Sequence, residues 1–216
     1  MDTVLPGLHA STPQPLSFDS SIASRAFLLE REAGNLLVYS PTGLEADSGA
    51  IAELGGMAAQ YLNHRHEASP SSAWATEAFG APLHTHEAER DAVAATSEVA
   101  ETFSERHGVG GDFEVIPAPG HTPGATAYLW DSGRHRVLFP GDTIMLRDGR
   151  WSAAVLDGSD REAYIASIER LRELDFDVLA PWATHDGEPH FVPTGAEERR
   201  RQLGAMLERL KAGEDR

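Results

Sequence analysis

The residues of this sequence that are best suited to chemistry are four histidines and one aspartate, each at the end of a strand-like run. His64 and His66 stand one residue apart in NHRHEAS, His121 lies in APGHTPGAT, Asp142 in LFPGDTI and His185 in LAPWATHDG. Loops at the ends of strands commonly present functional groups. Imidazole nitrogens and carboxylate oxygens are ligands that suit zinc, iron or manganese. The five residues therefore predict a metal site.

Glycines beside two of these residues strengthen the prediction. Gly120 and Gly124 lie on either side of His121, and Gly141 directly precedes Asp142. Glycine permits tight turns that aim a neighbouring side chain inward. Each motif alone is weak, because a pair of histidines or a PGD turn arises easily by chance. Their order along the chain makes the set specific.

In this order the motifs resemble those of the metallo-β-lactamase superfamily, over roughly residues 22 to 192. PGHTPGA is similar to the third motif of that family, FPGD to the fourth, and PWATHDG to the terminal histidine motif. The resemblance implies an α/β (α+β) fold, a four-layer αββα sandwich of two β-sheets covered by helices, with metal at one edge. It also implies that the first metal is held by the residues matching His64, His66 and His121.

The sequence departs from the family where the second metal would bind. In the family, that metal takes the Asp and His that close the HxHxDH motif together with the terminal histidine, and the fourth-motif aspartate bridges both metals. The two closing positions here hold Ala68 and Ser69, which leaves Asp142 and His185. A methyl group cannot ligate a metal, and a serine hydroxyl is a poor ligand. The resemblance therefore predicts a site with a single ion.

Such a site would be formed by His64, His66 and His121 with Asp142, and it would leave one position for water. A zinc-bound water can lose its proton near neutral pH. We therefore expect a metal-bound hydroxide to hydrolyse a small ester, thioester or lactone. Asp142 would complete or orient the site, and His185 would ligate the metal or contact substrate or water. Zinc is the expected ion, with iron or manganese as alternatives.

Other interpretations stay open at this point. Two histidines with Asp142 resemble the facial triad of non-haem iron oxygenases. The persulfide dioxygenase branch of the superfamily that this chain resembles uses such a site, so the resemblance also allows a dioxygenase of that type. Loss of two ligands also fits a non-catalytic binding protein on the same fold. A site with two metals would need substituted ligands such as His84, His86 or Glu67. Ser69 is expected to cap the helix that follows it.

Composition restricts the partners of the protein. The net charge is −16, with 18 basic against 34 acidic residues, so we expect neither a nucleic acid nor an anionic membrane as partner. We expect a small-molecule substrate, with a homodimer as an allowed assembly. The chain has no cysteine, no secretory signal pattern and no apolar run of about 20 residues. These features predict a cytoplasmic protein.

The chain is interpreted as one metallo-β-lactamase-like domain over residues 1–216, in which residues 1–20, rich in Pro and Ser, form a loose lead-in. Strand-like runs alternate with helical periodicity, as in a layered α/β domain. Ser159 and Thr194 each precede a glutamate by three residues, which predicts a helix N-terminus at both positions.

Overall fold

The computed structural model describes residues 1–40 and 42–215, and the chain divides into two compact units, Met1–Phe103 and Ser104–Arg216. Each unit combines strands with helices, as the sequence predicts. The assignment of residues 1–216 to a single domain stays a prediction. Within the described residues, no helix has the length and apolar character needed to span a lipid bilayer.

A seven-stranded sheet forms most of the first unit. In chain order the strands of this unit are β1 (Asp2–Leu5), β2 (Leu8–Ala10), β3 (Gln14–Leu16), β4 (Asp19–Ser24), β5 (Phe27–Leu29), β6 (Leu36–Val38), β7 (Ala59–Tyr61), β8 (Leu83–His86) and β9 (Glu101–Phe103). The sheet has the order β1-β2-β5-β6-β7-β8-β9. Strands β6 to β9 pair in parallel.

Parallel neighbours need long crossover connections, and three helices lie in these connections. They are α1 (Ser48–Glu53), α2 (Pro70–Phe79) and α3 (Arg90–Ala94). Their apolar side chains and those of the sheet form buried clusters, for example Leu28, Leu37 and Ile51. Side chains at the carboxyl ends of parallel strands are well placed for function. His64 follows β7 at such an end.

The N-terminal segment differs from the prediction of a loose lead-in. Residues 1–20 contain β1, β2, β3 and the start of β4. Leu8 and Ala10 on β2 are fully buried, and β2 pairs with β5 in antiparallel register. The proline content was misleading because Pro15 lies on β3, which is the last strand in the order of its sheet. Proline is tolerated on such an edge strand, where no second neighbour needs its N–H.

The second unit contains a six-stranded sheet and two long helices. Its strands are β10 (His107–Val109), β11 (Phe113–Pro117), β12 (Thr126–Asp131), β13 (Arg136–Phe139), β14 (Met145–Arg147), β15 (Arg150–Ser152), β16 (Val178–Leu179), β17 (Ala183–His185) and β18 (Val192–Pro193). The sheet order is β10-β11-β12-β13-β16-β18. Strand β14 pairs with β15 as a hairpin and in parallel with β17.

The helices of this unit are α4 (Arg161–Arg172) and α5 (Ala196–Ala212). Both pack their apolar faces into one cluster, with Ile168 on α4 and Met206 on α5 fully buried. Both helices were predicted, but each predicted cap lies one residue too early. Asp160 caps α4, where its carboxylate accepts from the Ala163 N–H at 3.0 Å, and Gly195 stands at the N-cap of α5.

Candidate metal site

His64 lies in a tight turn that follows β7, which we call the HRH turn (residues 63–67). Arg65–Glu67 form a single 3₁₀ turn, in which positions three residues apart lie one above the other. The ring of His64 is fully buried, and its Nδ1 lies 3.0 Å from Glu67 Oε1. The other carboxylate oxygen of Glu67 accepts from the Asn63 N–H at 3.0 Å. With Nδ1–H donated to this carboxylate, the lone pair of His64 is on Nε2.

Arg65, between the two histidines, fixes the backbone of the HRH turn. Its Nε donates to Glu89 Oε2 at 2.5 Å and its Nη2 to Glu89 Oε1 at 3.0 Å. Its backbone N–H also donates to Glu89 Oε2 at 3.0 Å. Glu89 is fully buried, and its hydrogen bonds raise the pKa of Arg65 above the usual range. A paired charge held this firmly gives both neighbouring histidines a fixed backbone.

Ala68 and Ser69, which replace the usual ligands of a second metal, are engaged elsewhere. Ala68 packs against a cluster that includes Leu62 and Leu83. Ser69 occupies the N-cap position of α2, as predicted, but its hydroxyl makes no hydrogen bond to the helix. Instead it donates to the Ser40 backbone oxygen at 3.4 Å. Packing and a local hydrogen bond account for both side chains.

His121 lies in a second loop, between β11 and β12, which we call the GHT loop (residues 119–122). Its ring is almost fully buried, and its Nδ1 lies 2.6 Å from the Ala154 backbone oxygen. A carbonyl oxygen can only accept a hydrogen bond, so Nδ1 carries the proton and Nε2 carries the lone pair. Asp142 Oδ2 is 3.7 Å from this Nε2.

Helix α4 and the residues at its N-terminus fix the backbone of the GHT loop. Three hydrogen bonds join the loop to this helix and its cap: Ser159 Oγ to the His121 oxygen at 2.9 Å, Asp160 N to the Gly120 oxygen at 2.9 Å, and Ser167 Oγ to the Pro119 oxygen at 2.7 Å. Gly120 has φ +146°, and a Cβ built there would lie 2.4 Å from Tyr164 Cα. Only glycine lets the loop approach the helix this closely.

Tyr164 on α4 connects the Asp142 turn to the segment that supports His121. Its fully buried hydroxyl lies 2.8 Å from the Asp142 backbone oxygen and 3.0 Å from the Thr143 backbone oxygen, and it accepts from Ala154 N–H at 3.1 Å. Burial, followed by the charge of Asp142, raises the pKa of Tyr164 well above its usual value, so the hydroxyl stays a donor. Helical periodicity places this tyrosine on the apolar face of α4, and no sequence pattern connects it to His121.

His185 at the end of β17 has a neighbour that the sequence did not suggest. Arg147 Nε donates to His185 Nε2 at 3.1 Å, across the parallel pair of β14 and β17. Because Nε2 accepts this hydrogen bond, the ring proton of His185 lies on Nδ1. Whether His185 ligates a metal stays a prediction.

The structure brings three of the predicted residues into one group. One ring nitrogen from each of His64, His66 and His121 lies within 4.8 Å of the others. Among the described residues, these three histidines form one group of potential ligands that lie close enough to share an ion. Their proximity indicates metal binding. Asp142 contacts His121 but is not a member of the group, and its role as ligand stays a prediction.

His84 and His86, considered above as substitute ligands, make local contacts. The ring of His84 stacks on Tyr61 with 4.6 Å between the ring centroids. His86 Nδ1 accepts from the Ala88 N–H at 3.1 Å, within the turn that follows β8. These contacts account for both side chains as parts of the fold.

Solved structures with similar folds come from several bacteria. A metallo-β-lactamase from Pontibacter korlensis matches with a TM-score of 0.72 and 17% identity, covering 97% of both chains. A metallo-β-lactamase family protein from Thermus thermophilus matches with a TM-score of 0.67 and 19% identity, covering 97% of this chain and 81% of that one. At these identities the likeness concerns the fold, and it confirms the predicted fold class.

One curated relative is the uncharacterized protein YmaE of Bacillus subtilis (strain 168). It is 30% identical over 140 residues, which cover 61% of this chain and 49% of the relative. This chain thus spans about half the length of that protein. The sequence model that describes the metallo-β-lactamase superfamily matches residues 48–184 of this chain. Since this match covers more than half of the chain, the protein belongs to the metallo-β-lactamase superfamily.

Proposed function

We propose that the protein is a hydrolase that uses one divalent metal ion to cleave a small ester, thioester or lactone. The observation that carries this proposal is the group of His64, His66 and His121, whose ring nitrogens lie within 4.8 Å of one another. Membership of a superfamily made up mostly of metal-dependent hydrolases supports the type of reaction.

The donor atoms suit a zinc ion. The Nδ1 atoms of His64 and His121 are engaged by the Glu67 carboxylate and the Ala154 carbonyl, so both rings can offer a neutral Nε2. Tetrahedral zinc with nitrogen ligands at about 2.1 Å places ligand atoms about 3.4 Å apart. The 3.7 Å between His121 Nε2 and Asp142 Oδ2 is close to that spacing. This contact places the Asp142 carboxylate beside one ligand atom and supports it as the residue that orients water.

The contacts of Ala68 and Ser69 support one ion rather than two. Ala68 packs in an apolar cluster with Leu62, and Ser69 bonds to Ser40, so neither side chain provides a ligand. Two of the ligands that the family uses for a second ion are therefore missing from the chain.

In the proposed reaction, the ion supplies Lewis acidity, which activates water and polarises a carbonyl group. Asp142 accepts the proton that the attacking water loses and then transfers it to the leaving oxygen or sulfur. The hydrogen bond from Tyr164 to the Asp142 backbone oxygen keeps this carboxylate in place. His185, whose Nε2 accepts from Arg147, donates Nδ1–H to the substrate.

The proposal is tested by removing the metal with a chelator from untagged protein and adding back zinc, manganese or ferrous iron. We expect hydrolysis of a panel of esters, thioesters and lactones only after metal is returned. His121→Ala should abolish this activity, whereas His107→Ala, which removes an exposed histidine, should not. Hydrolysis that survives either chelation or His121→Ala would contradict the proposal.

An iron-dependent dioxygenase is a second candidate. Two histidines and a carboxylate form the usual ligand set of non-haem iron oxygenases, and the contact between His121 and Asp142 provides the nitrogen–carboxylate part of such a set. This alternative predicts bound iron and oxygen uptake with a persulfide substrate. A protein that binds one metal ion and a ligand without turnover would instead be a non-catalytic member of the family.

The setting of the enzyme is part of the same proposal. We propose a cytoplasmic location, which fits the absence of cysteine from the sequence. A small-molecule substrate, rather than nucleic acid or membrane, fits the net charge of −16. Size-exclusion chromatography with light scattering would test the homodimer.

A further inference from the structure

Three arginines line one cavity of about 270 Å³ in the second unit. Arg147 lies on β14, Arg150 on β15 and Arg209 on α5, and Ser152 adds a hydroxyl to the wall. The whole chain has 18 basic residues against 34 acidic ones. Three guanidinium groups therefore meet at one cavity of an otherwise acidic chain.

Two of these arginines are forced together by the β14–β15 hairpin. Asp148 and Gly149 form its tip, with φ of +52° and +69°, as expected for a type I′ turn. The hairpin register places Arg147 directly opposite Arg150. Like charges in directly opposite positions destabilise a strand pair. Ser152 shares a face with Arg150, because alternate residues of a strand point to the same side.

The third arginine is already neutralised. Arg209 Nε lies 2.7 Å from Asp215 Oδ1, and its Nη2 donates to the Trp151 backbone oxygen at 2.5 Å. Glu214 is the other acidic residue of the lining, and it is exposed. Arg209 is therefore an immobilised part of the cavity lining, and its charge is balanced by Asp215.

Arg150 has little to balance its charge. Its closest carboxylate oxygen is Asp148 Oδ2 at 3.9 Å, which is longer than a hydrogen bond, and its side chain is 58% exposed. Arg147, opposite it, donates from Nε to His185 Nε2 at 3.1 Å. The guanidinium group of Arg150 is therefore accessible to an anion, and Arg147 adds a second positive charge beside it.

We propose that this cavity binds an anionic group of the substrate, a carboxylate or a phosphate, through Arg147 and Arg150. Guanidinium groups bind both anions with paired hydrogen bonds. The inference rests on the proposed function, because the link from Arg147 to His185 connects the cavity to a predicted site residue. The substrate is then an ester, thioester or lactone that carries a carboxylate or phosphate at a distance from the cleaved bond.

Binding is tested first, without reference to activity. Inorganic phosphate and acetate are titrated in turn into the full-length protein at constant ionic strength, and the arginine Nε–H signals are followed by NMR. We expect saturable shifts of the Arg147 and Arg150 signals, with about tenfold weaker binding in Arg150→Gln, or roughly 1.4 kcal/mol. Arg134→Gln, which removes an exposed charge at another turn, should bind as the unmodified protein does.

Comparing the affinities of the two anions distinguishes a phosphorylated substrate from one that carries a carboxylate. Tighter binding of phosphate indicates a phosphorylated substrate, and tighter binding of acetate indicates a carboxylate. Arg147→Gln provides a second variant in case Arg150→Gln folds poorly. Absence of saturable shifts for both anions, or equal affinity in Arg150→Gln and unmodified protein, would overturn the inference.

A second experiment compares two ester substrates that differ only in the presence of a carboxylate. Arg150→Gln should raise KM about tenfold for the anionic ester and leave kcat and the neutral ester unchanged. Equal KM changes for both esters would overturn the inference. If no ester is hydrolysed at all, the proposed function fails, but the NMR titration still decides whether the cavity binds anions.

Discussion

The HRH turn and the GHT loop each hold a histidine through its Nδ1, but they do so with partners at very different distances along the chain. His64 is held by Glu67, three residues away, in a turn that contains its own carboxylate. His121 is held by the Ala154 carbonyl, which is 33 residues away. The first arrangement depends on a local turn, and the second depends on the packing of the second unit.

This difference predicts how each histidine responds to mutation. In the HRH turn, the important partner is a charged side chain, so its replacement should change metal affinity more than folding. In the GHT loop, the important partners are backbone groups arranged by Gly120 and Tyr164, so a change there should affect folding and metal binding together.

The largest effect is expected for Gly120→Ala in the GHT loop. The new Cβ would lie 2.4 Å from Tyr164 Cα, and φ at this position is +146°. We expect a loss of about 4 kcal/mol in the free energy of unfolding, measured by urea denaturation. Gly133→Ala is the matched control, because φ is +76° there and no heavy atom lies within 4 Å of the added carbon. It should cost only about 1 kcal/mol, and equal losses would refute the close-approach argument.

Restoring the family pattern at the two positions that follow the HRH turn should be the next most costly change. Ala68→Asp with Ser69→His places a carboxylate in an apolar cluster and an imidazole in the buried site of Ser69. We expect the free energy of unfolding to fall by about 3 kcal/mol, with no second ion bound. A variant that binds two ions per chain and keeps its stability would show that the second site is only two substitutions away.

Tyr164→Phe tests the remote support of His121. The variant loses a hydroxyl that lies within hydrogen-bond distance of the Asp142 backbone oxygen and accepts from the Ala154 N–H. We expect a loss of about 2 kcal/mol in the free energy of unfolding, because buried backbone groups are left unsatisfied. Metal affinity, followed by competition with a chromogenic chelator, should fall as well. A loss of stability without any change in metal affinity would show that Tyr164 does not support metal binding by His121.

The smallest effect on folding is expected for Glu67→Gln. An amide oxygen can still accept from the His64 ring, but the amide NH₂ cannot accept from the Asn63 N–H. Metal affinity should decrease on the order of tenfold, as for other partners of histidine ligands. Glu77→Gln, an exposed glutamate on α2, removes the same charge and should have no effect. If both variants bind metal equally well, the carboxylate does not support His64.

The difference between the HRH turn and the GHT loop also decides which residues of the site the sequence could predict. His64, His66 and His121 could be proposed as ligands from the sequence because their motifs are short and local, and the structure groups their ring nitrogens. Glu67 could have been recognised as a partner of His64 from its spacing, since residues three apart eclipse in a 3₁₀ turn. Ala154 and Tyr164 could not, because no local pattern connects a carbonyl or a helix tyrosine to a histidine tens of residues away.

The N-terminal strands and the helix caps show the same limit. The proline content made residues 1–20 look irregular, but β2 in this segment pairs with β5, about 20 residues further along the chain. Ser159 has the sequence signature of a cap, yet its hydroxyl is used by the His121 backbone oxygen, and Asp160 caps the helix. In both cases a tertiary contact overrides a local preference.

The central claim is that three imidazoles hold one ion. Its most direct test is the metal-to-chain ratio, measured by elemental mass spectrometry on untagged protein after incubation with zinc and removal of free ion. We predict a ratio near one that falls to near zero in His121→Ala and is unchanged in His107→Ala. A ratio near two, or one near zero in the unmodified protein, would contradict the account.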